Sequence, residues 1–335
     1  MRAKDIAELM GVSTSTVSLV MNNKPGVSEQ KRREILDKIQ ELNCGYLLKE
    51  AKTERKNIGF VVYKRKGNIV DESPFFSYFM EGISERLQRM SYNLIVLYMS
   101  SNMDLAEQKR IIKEAGCEGF IVFAVEMLYK DMQVFKDSEY PFVMLDNSFK
   151  VNDVDTVAIN NTSGTRSAMN YLRQQGHKKI GYIRSKIRIN SFEDRFIAYK
   201  NALSELNLSF DEAFVAEVGY SDSEARADML EYIRNAQALP TAFVADNDLI
   251  ACGALKGIQD AGLCVPDDIS LVGFDDRPIA QMATPPISTM SVAKDAFGNK
   301  CVDLLMDKIN NHRMYAMKIE IGTVLIRRES VKQLS

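Results

Sequence analysis

Apolar residues recur at two different periods along this chain. In the first 43 residues the period is helical. Ile6 and Met10 lie one turn apart, then Val17 and Val20, then Ile35, Leu36, Ile39 and Leu42. The pattern predicts helices over 4–10, 14–22 and 29–42. Ser13 and Ser28 stand where N-caps belong, because a serine oxygen can accept from the unpaired N–H groups of a first turn. Gly11 follows the first helix and supplies the left-handed backbone of a tight turn. Asn22-Asn23-Lys24-Pro25-Gly26 is a turn cluster that ends the second. Two short helices joined by such a turn, with the small Ala7 where they cross, make a helix-turn-helix.

Beyond Ile58 the pattern changes. Short apolar runs at 58–63, 93–98, 119–124, 142–146, 179–183, 214–218, 241–245 and 270–274 read as buried strands. Amphipathic stretches at 77–90, 105–115, 163–175, 192–206, 223–235 and 248–261 lie between them. Strands apolar on both faces that alternate with helices mean a parallel α/β sheet. The stretch is longer than one compact sheet needs, so two stacked α/β subdomains are predicted. Ligands in such sheets bind beyond the carboxyl ends of the strands. A cleft between facing subdomains would gather those ends from both sides.

Composition narrows the setting. The best apolar run, 119–125, is strand-sized, far short of the roughly 18 residues a membrane helix needs. The start, Met-Arg-Ala-Lys-Asp, lacks the apolar core of a secretion signal. Five scattered cysteines without Cys-x-x-Cys spacing and two histidines argue against disulfides and metal centres. The expectation is a cytoplasmic, reduced protein with no metal or other cofactor and no membrane contact. Residues 1–56 carry 11 Lys/Arg against 8 Asp/Glu, a net +3, while the remainder is net −5. A basic head on an acidic body points to a polyanion partner.

Once the apolar faces turn inward, Thr14, Ser15 and Leu19 remain on the outer face of the second helix. Short hydroxyls there can hydrogen-bond base edges, and a leucine can touch a thymine methyl. The candidates for phosphate oxygens are Ser13, Thr16, Ser18, Asn22, Ser28 and Lys31, since hydroxyls, cations and helix N-termini suit them. The chain has no Gly-x-Ser-x-Gly elbow, no Walker A loop and no Gly-x-Gly-x-x-Gly. Gly253-x3-Gly257-x4-Gly262 lies inside a helical stretch without the Lys-Ser/Thr of a phosphate loop. A DNA-binding regulator, not an enzyme, is therefore favoured over a sugar-processing enzyme or a transport-type binding protein.

Lys4-Asp5-Ile6-Ala7-Glu8-Leu9-Met10-Gly11-Val12-Ser13, Thr16-Val17-Ser18-Leu19-Val20-Met21-Asn22 and Gly26-Val27-Ser28 resemble the LacI/GalR-type bacterial transcriptional regulators. So do Gly176-His177-Lys178-Lys179-Ile180-Gly181, Asn247-Asp248-Leu249-Ile250-Ala251, the stretch 268–276 and Pro285-Pro286-Ile287-Ser288-Thr289. The resemblance spans nearly the whole chain. It implies an N-terminal all-α helix-turn-helix head plus an α/β periplasmic-binding-protein-like core of two parallel-sheet subdomains. It also implies a repressor that binds near-palindromic double-stranded operator DNA as a homodimer joined through its N-terminal subdomain. Positions matching Thr14, Ser15 and Leu19 read bases in that family, the third often as arginine.

The expected division is a DNA-binding domain at 1–45, a linker or degenerate hinge at 46–57 and an effector and dimerisation core at 58–335. Within the core the N-subdomain takes 58–160 and 292–318, and the C-subdomain 161–291 and 319–335. The family's linker holds a hinge helix that wedges a leucine into the minor groove. Here its Pro-Asn pair is missing and 44–57 is rich in lysine and glutamate. A flexible tether is read in preference, with Leu47 and Leu48 the candidate minor-groove residues.

Effector candidates follow from position and chemistry, and all but Glu126 match family ligand contacts. Asp146 ends a strand, Asn247 and Asp275 follow strands, and Arg195 starts a helix. Phe75 and Phe76 precede the 77–90 helix, Tyr220 follows the 214–218 strand, and Glu126 ends the 119–125 run. Carboxylates and an amide suit vicinal hydroxyls, Arg195 can donate two parallel bonds, and aromatic faces cover a ring's C–H surface. A carbohydrate effector is expected. A purine is the alternative, because paired phenylalanines can stack on a base. His177 is expected to be structural, bonding the last carbonyls of a helix.

Overall fold

The computed structural model describes residues 2–42, 44–48, 55–65, 68–72, 76–149 and 153–334. The chain divides into two units, residues 1–55 and 56–335.

The head contains α1 (Ala3–Met10), α2 (Thr14–Met21) and α3 (Glu29–Glu41). Each forms where the apolar spacing predicts it, and the caps set the ends. Ser13 Oγ accepts from the Thr16 N–H at 3.1 Å, and Ser28 Oγ from the Lys31 N–H at 3.4 Å. Gly11 ends α1 at φ +63°, a conformation costly for residues with a Cβ. Ile6, Ala7, Val17, Val20, Met21, Ile35 and Ile39 bury into one small core. The described start of the linker packs on this core. Gly45–Leu47 forms a 3-10 turn, and Leu47 and Leu48 pack half-buried against the head. Their apolar surface is committed to the head's own core, so the structure does not present them as free wedges. The linker stretch 49–54 lies outside the described residues.

The second unit begins with β1 (Lys56–Lys64), α4 (Asn68–Glu72), α5 (Ser77–Arg89), β2 (Tyr92–Ser100), α6 (Leu105–Glu114), β3 (Phe120–Phe123), α7 (Gln133–Lys136), β4 (Phe142–Leu145) and β5 (Thr156–Ile159). These build most of a first parallel sheet. A second follows through α8 (Asn161–Gln174), β6 (Ile180–Ser185), α9 (Asn190–Glu205), β7 (Val215–Val218), α10 (Asp222–Asn235), β8 (Ala242–Ala245), α11 (Asp248–Asp260), β9 (Ser270–Asp275), α12 (Pro278–Met282) and β10 (Ser288–Val292). Then α13 (Lys294–Asn311) packs back on α5, with Phe297 and Phe79 stacked 4.9 Å apart. Next β11 (Lys318–Ile321) joins the first sheet beside β5, and β12 (Thr323–Ile326) joins the second, antiparallel to β10. The strand orders are β11-β5-β4-β3-β1-β2 and β12-β10-β9-β8-β6-β7. The last crossing therefore falls at Gly322, whereas the sequence boundary at 318/319 cuts into β11.

The fully apolar runs are the central strands: β3, β4, β8 and β9 are buried throughout. The run at 93–98, read as a buried strand, is instead the edge strand β2, most of it half-exposed because only β1 flanks it. The glycine spacing at 253 and 257 lets α10 lie close on α11. A Cβ at Gly253 would stand 2.7 Å from Ala225 Cβ, and one at Gly257 2.5 Å from the Arg226 carbonyl oxygen. His177 is buried, but its ring does not meet helix carbonyls. Nδ1 lies 2.9 Å from Thr241 Oγ1 and Nε2 3.1 Å from the Lys332 carbonyl, tying the C-terminal segment to the second sheet.

Candidate functional site

The carboxyl ends of both sheets converge on a small cavity. From the first sheet come Phe123 and Val125 after β3 and Asp146 after β4. From the second come Ser191, Phe192 and Arg195 on α9, Tyr220 after β7, Asn247 after β8 and Asp275 at the end of β9. A parallel strand exposes its side chains at that end, where the chain must leave the sheet for a helix. Five of the sequence-read candidates, Asp146, Arg195, Tyr220, Asn247 and Asp275, thus meet in one place.

Arg195 is the hub. It is buried, at the sixth position of α9, which starts at Asn190 and so leads Arg195 by more than the sequence suggested. Its Nε donates to Asn161 Oδ1 at 2.8 Å, Nη1 to the Asp246 carbonyl, and Nη2 to Asp275 Oδ1 at 3.2 Å. Its guanidinium lies 3.6 Å from the Phe274 ring centroid. Three of its five N–H donors are therefore used. Asn247 caps α11 through Oδ1, accepting from the Ile250 N–H at 3.1 Å, while its Nδ2 donates to the Tyr220 hydroxyl at 3.2 Å.

The two carboxylates are held in unusual states. Asp146 and Asp275 have φ of +63° and +103°, strained for residues with a Cβ, and such strain gathers at functional sites. Burial pushes Asp146 up to about 7, with Asp275 adding to the rise and Arg195 opposing it. Asp275 is also raised by burial, against the pull of Arg195 and Arg277. The raised Asp146 value means that the folded state keeps a proton the unfolded chain has lost. Its contribution to stability is therefore present at low pH and is lost as pH rises from about 4 to about 7. Asp146→Asn is expected to flatten that loss by roughly 1.4 kcal/mol per pH unit. Urea melts of both proteins at several pH values in this window check it; parallel profiles would reject it.

The other candidates fall elsewhere. Phe76 caps α5 and packs behind the cavity, 5.8 Å from Phe123 and 6.4 Å from Phe60. Phe75 lies outside the described residues. Glu126 turns its carboxylate onto the backbone N–H groups of Arg65 (2.8 Å), Ile69 (2.8 Å) and Val70 (3.2 Å), so it organises the start of α4. Sequence reasoning missed Asn161 and Asp246, the supports of Arg195. Asp246 carries the same strand-end signal as Asn247, but its side chain serves the fold, accepting from the Tyr182 hydroxyl at 2.6 Å and the Ser185 N–H at 2.8 Å. Asn161 carries no local signal. Ser191 and Phe192 were also missed, though they open the helix that bears Arg195.

In the head, Thr14 and Ser15 are exposed at the start of α2, and Leu19 is half-buried beside the Gly26 turn. Ser13 Oγ lies 2.7 Å from Ser15 Oγ and 2.8 Å from Thr16 Oγ1, a ready hydroxyl cluster at a helix N-terminus. Asn22 caps the far end of α2, donating to the Ser18 carbonyl at 2.8 Å and Ser18 Oγ at 3.3 Å. Lys31 pairs with Glu34 at 2.7 Å on the surface of α3.

A helix-turn-helix head and a two-sheet core with a buried polar cavity are the architecture of a bacterial regulator. Residues 3–44 match the bacterial regulatory proteins of the lacI family, and residues 169–331 match the periplasmic binding protein-like domain. The chain belongs to the LacI/GalR-type bacterial transcriptional regulators. It is 28% identical over 337 residues to the HTH-type transcriptional repressor PurR of Mannheimia succiniciproducens, covering 99% of each. It is 29% identical over 336 residues to the ribose operon repressor of Haemophilus influenzae, covering 99% of this chain and 98% of the relative. Among solved structures, the transcriptional regulator CelR in complex with cellobiose superposes with a TM-score of 0.74 at 23% identity, covering 98% of this chain and 99% of that one.

Proposed function

We propose that this protein is a transcriptional repressor that acts in the cytoplasm and binds a near-palindromic operator as a homodimer. A small carbohydrate in the cavity sets its operator affinity. The observation that carries the reading is the cavity around Arg195, which brings Asp146, Asn247 and Asp275 together at the carboxyl ends of both sheets. Two carboxylates, an amide and a serine suit the vicinal hydroxyls of a sugar, and Phe192 offers a ring face. The name of a ribose operon repressor among the similar proteins supports a sugar. The purine alternative rested on paired phenylalanines, and Phe76 is packed behind the cavity.

A ligand that bonds Asp146 on one side and Arg195, Asn247 and Asp275 on the other favours the closed cleft. Asn190 Nδ2 already donates to Asn147 Oδ1 from one subdomain to the other at 2.9 Å. Closure then alters what a dimer presents to two half-sites. The coupling expected is about 1–3 kcal/mol, typical of allosteric linkage. One small head makes few phosphate contacts, so two heads on one dimer gain by effective concentration. Among the described lining residues no nucleophile–base hydrogen bond is formed, and the reading needs no catalysis.

The test is operator retardation with and without candidate ligands, found by thermal shift against sugars, sugar phosphates and nucleobases. A ligand that stabilises the core yet leaves operator affinity unchanged would sink the allosteric reading, and a nucleobase as sole ligand would replace the sugar. Ser15→Ala and Leu19→Ala are each expected to change the preference among single-base operator variants by about 1 kcal/mol. An unchanged base-by-base profile would argue against reading by α2.

A further inference from the structure

The cavity adjoins a larger recess, with Val125 and Ile189 in the walls of both. The two spaces differ in charge. The inner lining holds Asp146 and Asp275 against Arg195. The described lining of the recess holds Arg65, Lys186 and Arg188 against Glu126 alone, and the Glu126 carboxylate is already engaged by three backbone N–H groups. Each cation does have an acid partner. Asp131 lies 2.8 Å from Arg65, Asp228 2.8 Å from Lys186, and Asp246 and Glu193 2.6 and 2.7 Å from Arg188. None of these acids belongs to the described lining. The described lining of the recess therefore carries three cations and one acid, while the cations' partners lie outside it. Arg188 Nη2 is also buried without a hydrogen-bond partner, and a buried donor left unpaired invites a ligand acceptor.

We infer that the effector has two chemically distinct ends: a neutral polyhydroxyl part in the inner cavity, and a phosphate or carboxylate held in the recess by Arg65, Lys186 and Arg188. The inference rests on the carbohydrate reading above and adds a charge requirement to it. An anion placed inward would face two carboxylates, whereas an arginine fork matches phosphate or carboxylate oxygens in pairs. The order is thereby fixed: hydroxyls inward, anion outward.

Matched pairs test it. Ribose, glucose and fructose are titrated calorimetrically into the full chain beside ribose 5-phosphate, glucose 6-phosphate and fructose 6-phosphate, with glucuronate as the carboxylate arm. At least one anionic member is expected to bind more than about tenfold tighter than its parent sugar at low salt, and to lose most of that advantage at high salt. A preference confined to phosphates or to glucuronate supports the inference and names the anion. Arg65→Gln/Lys186→Gln, which alters two partly exposed cations, is expected to cut the preference by about fivefold while leaving the parent sugar within about twofold. Arg188→Lys keeps a cation beside buried Asp246 but removes the unpaired N–H, and serves as the independent variant. Anions that bind no better than their parents overturn the inference, as does a preference that survives both variants. Binding by no compound overturns it too. Operator retardation by the same preparation separates that outcome from failure of the regulator reading.

Discussion

Arg195→Ala is expected to abolish the response of operator affinity to ligand and to cost the effector core about 3–5 kcal/mol, because removing one partner strands a buried charge. The sequence suggested a ligand donor that could be removed cleanly. The structure shows a fully enclosed guanidinium bonded to Asn161, the Asp246 carbonyl and Asp275, and stacked on Phe274. Without it, Asp275 loses its partner and Asp146 the cation that opposes its rise. Arg195→Lys separates the two effects. It restores a cation, so part of the stability returns, but a lysine cannot reproduce the planar fork, so the ligand response stays lost. Urea melts of the core, with retardation in the presence of ligand, measure both. Wild-type induction in the alanine variant would remove Arg195 from the site.

The second large effect belongs to the head. Ile35 is fully buried in a core made of a few side chains. Ile35→Ala is expected to cost about 2–5 kcal/mol. A unit of this size rarely holds more than about 3–5 kcal/mol, so the head should unfold and operator binding fall by more than about a hundredfold. The 56–335 unit has its own core, so its melting and its ligand binding should be untouched. A loss of ligand binding in this variant would mean that the two units do not fold independently. Ser15→Ala supplies the contrast: it touches an exposed hydroxyl and should alter base preference without unfolding the head.

Much of this was legible because it is local. The three head helices, their serine caps and the left-handed Gly11 depend on residues a few positions apart, and all appear as read. The alternation of apolar runs and amphipathic stretches likewise announced a doubly covered parallel sheet. Local reasoning failed where an element's surroundings override its own pattern. The 93–98 run is as apolar as a central strand, yet lies at an edge where only one neighbour covers it. Glu126 reads like Asp146 as the end of an apolar run, but it lies in a turn beyond β3 and its carboxylate accepts from three N–H groups around the start of α4.

What the sequence by itself determined is the architecture: a small helical reader, a longer α/β core and the strand ends where a ligand would bind. Periodicity and caps encode these through near neighbours. What only the tertiary structure decided is how the site is wired. Arg195 finds its partners 34, 51 and 80 positions away, and Asp146 is raised by burial beneath a sheet that the chain has not yet formed at that point. Desolvation and hydrogen-bond geometry act through space, so they exist only once distant strands have been brought together.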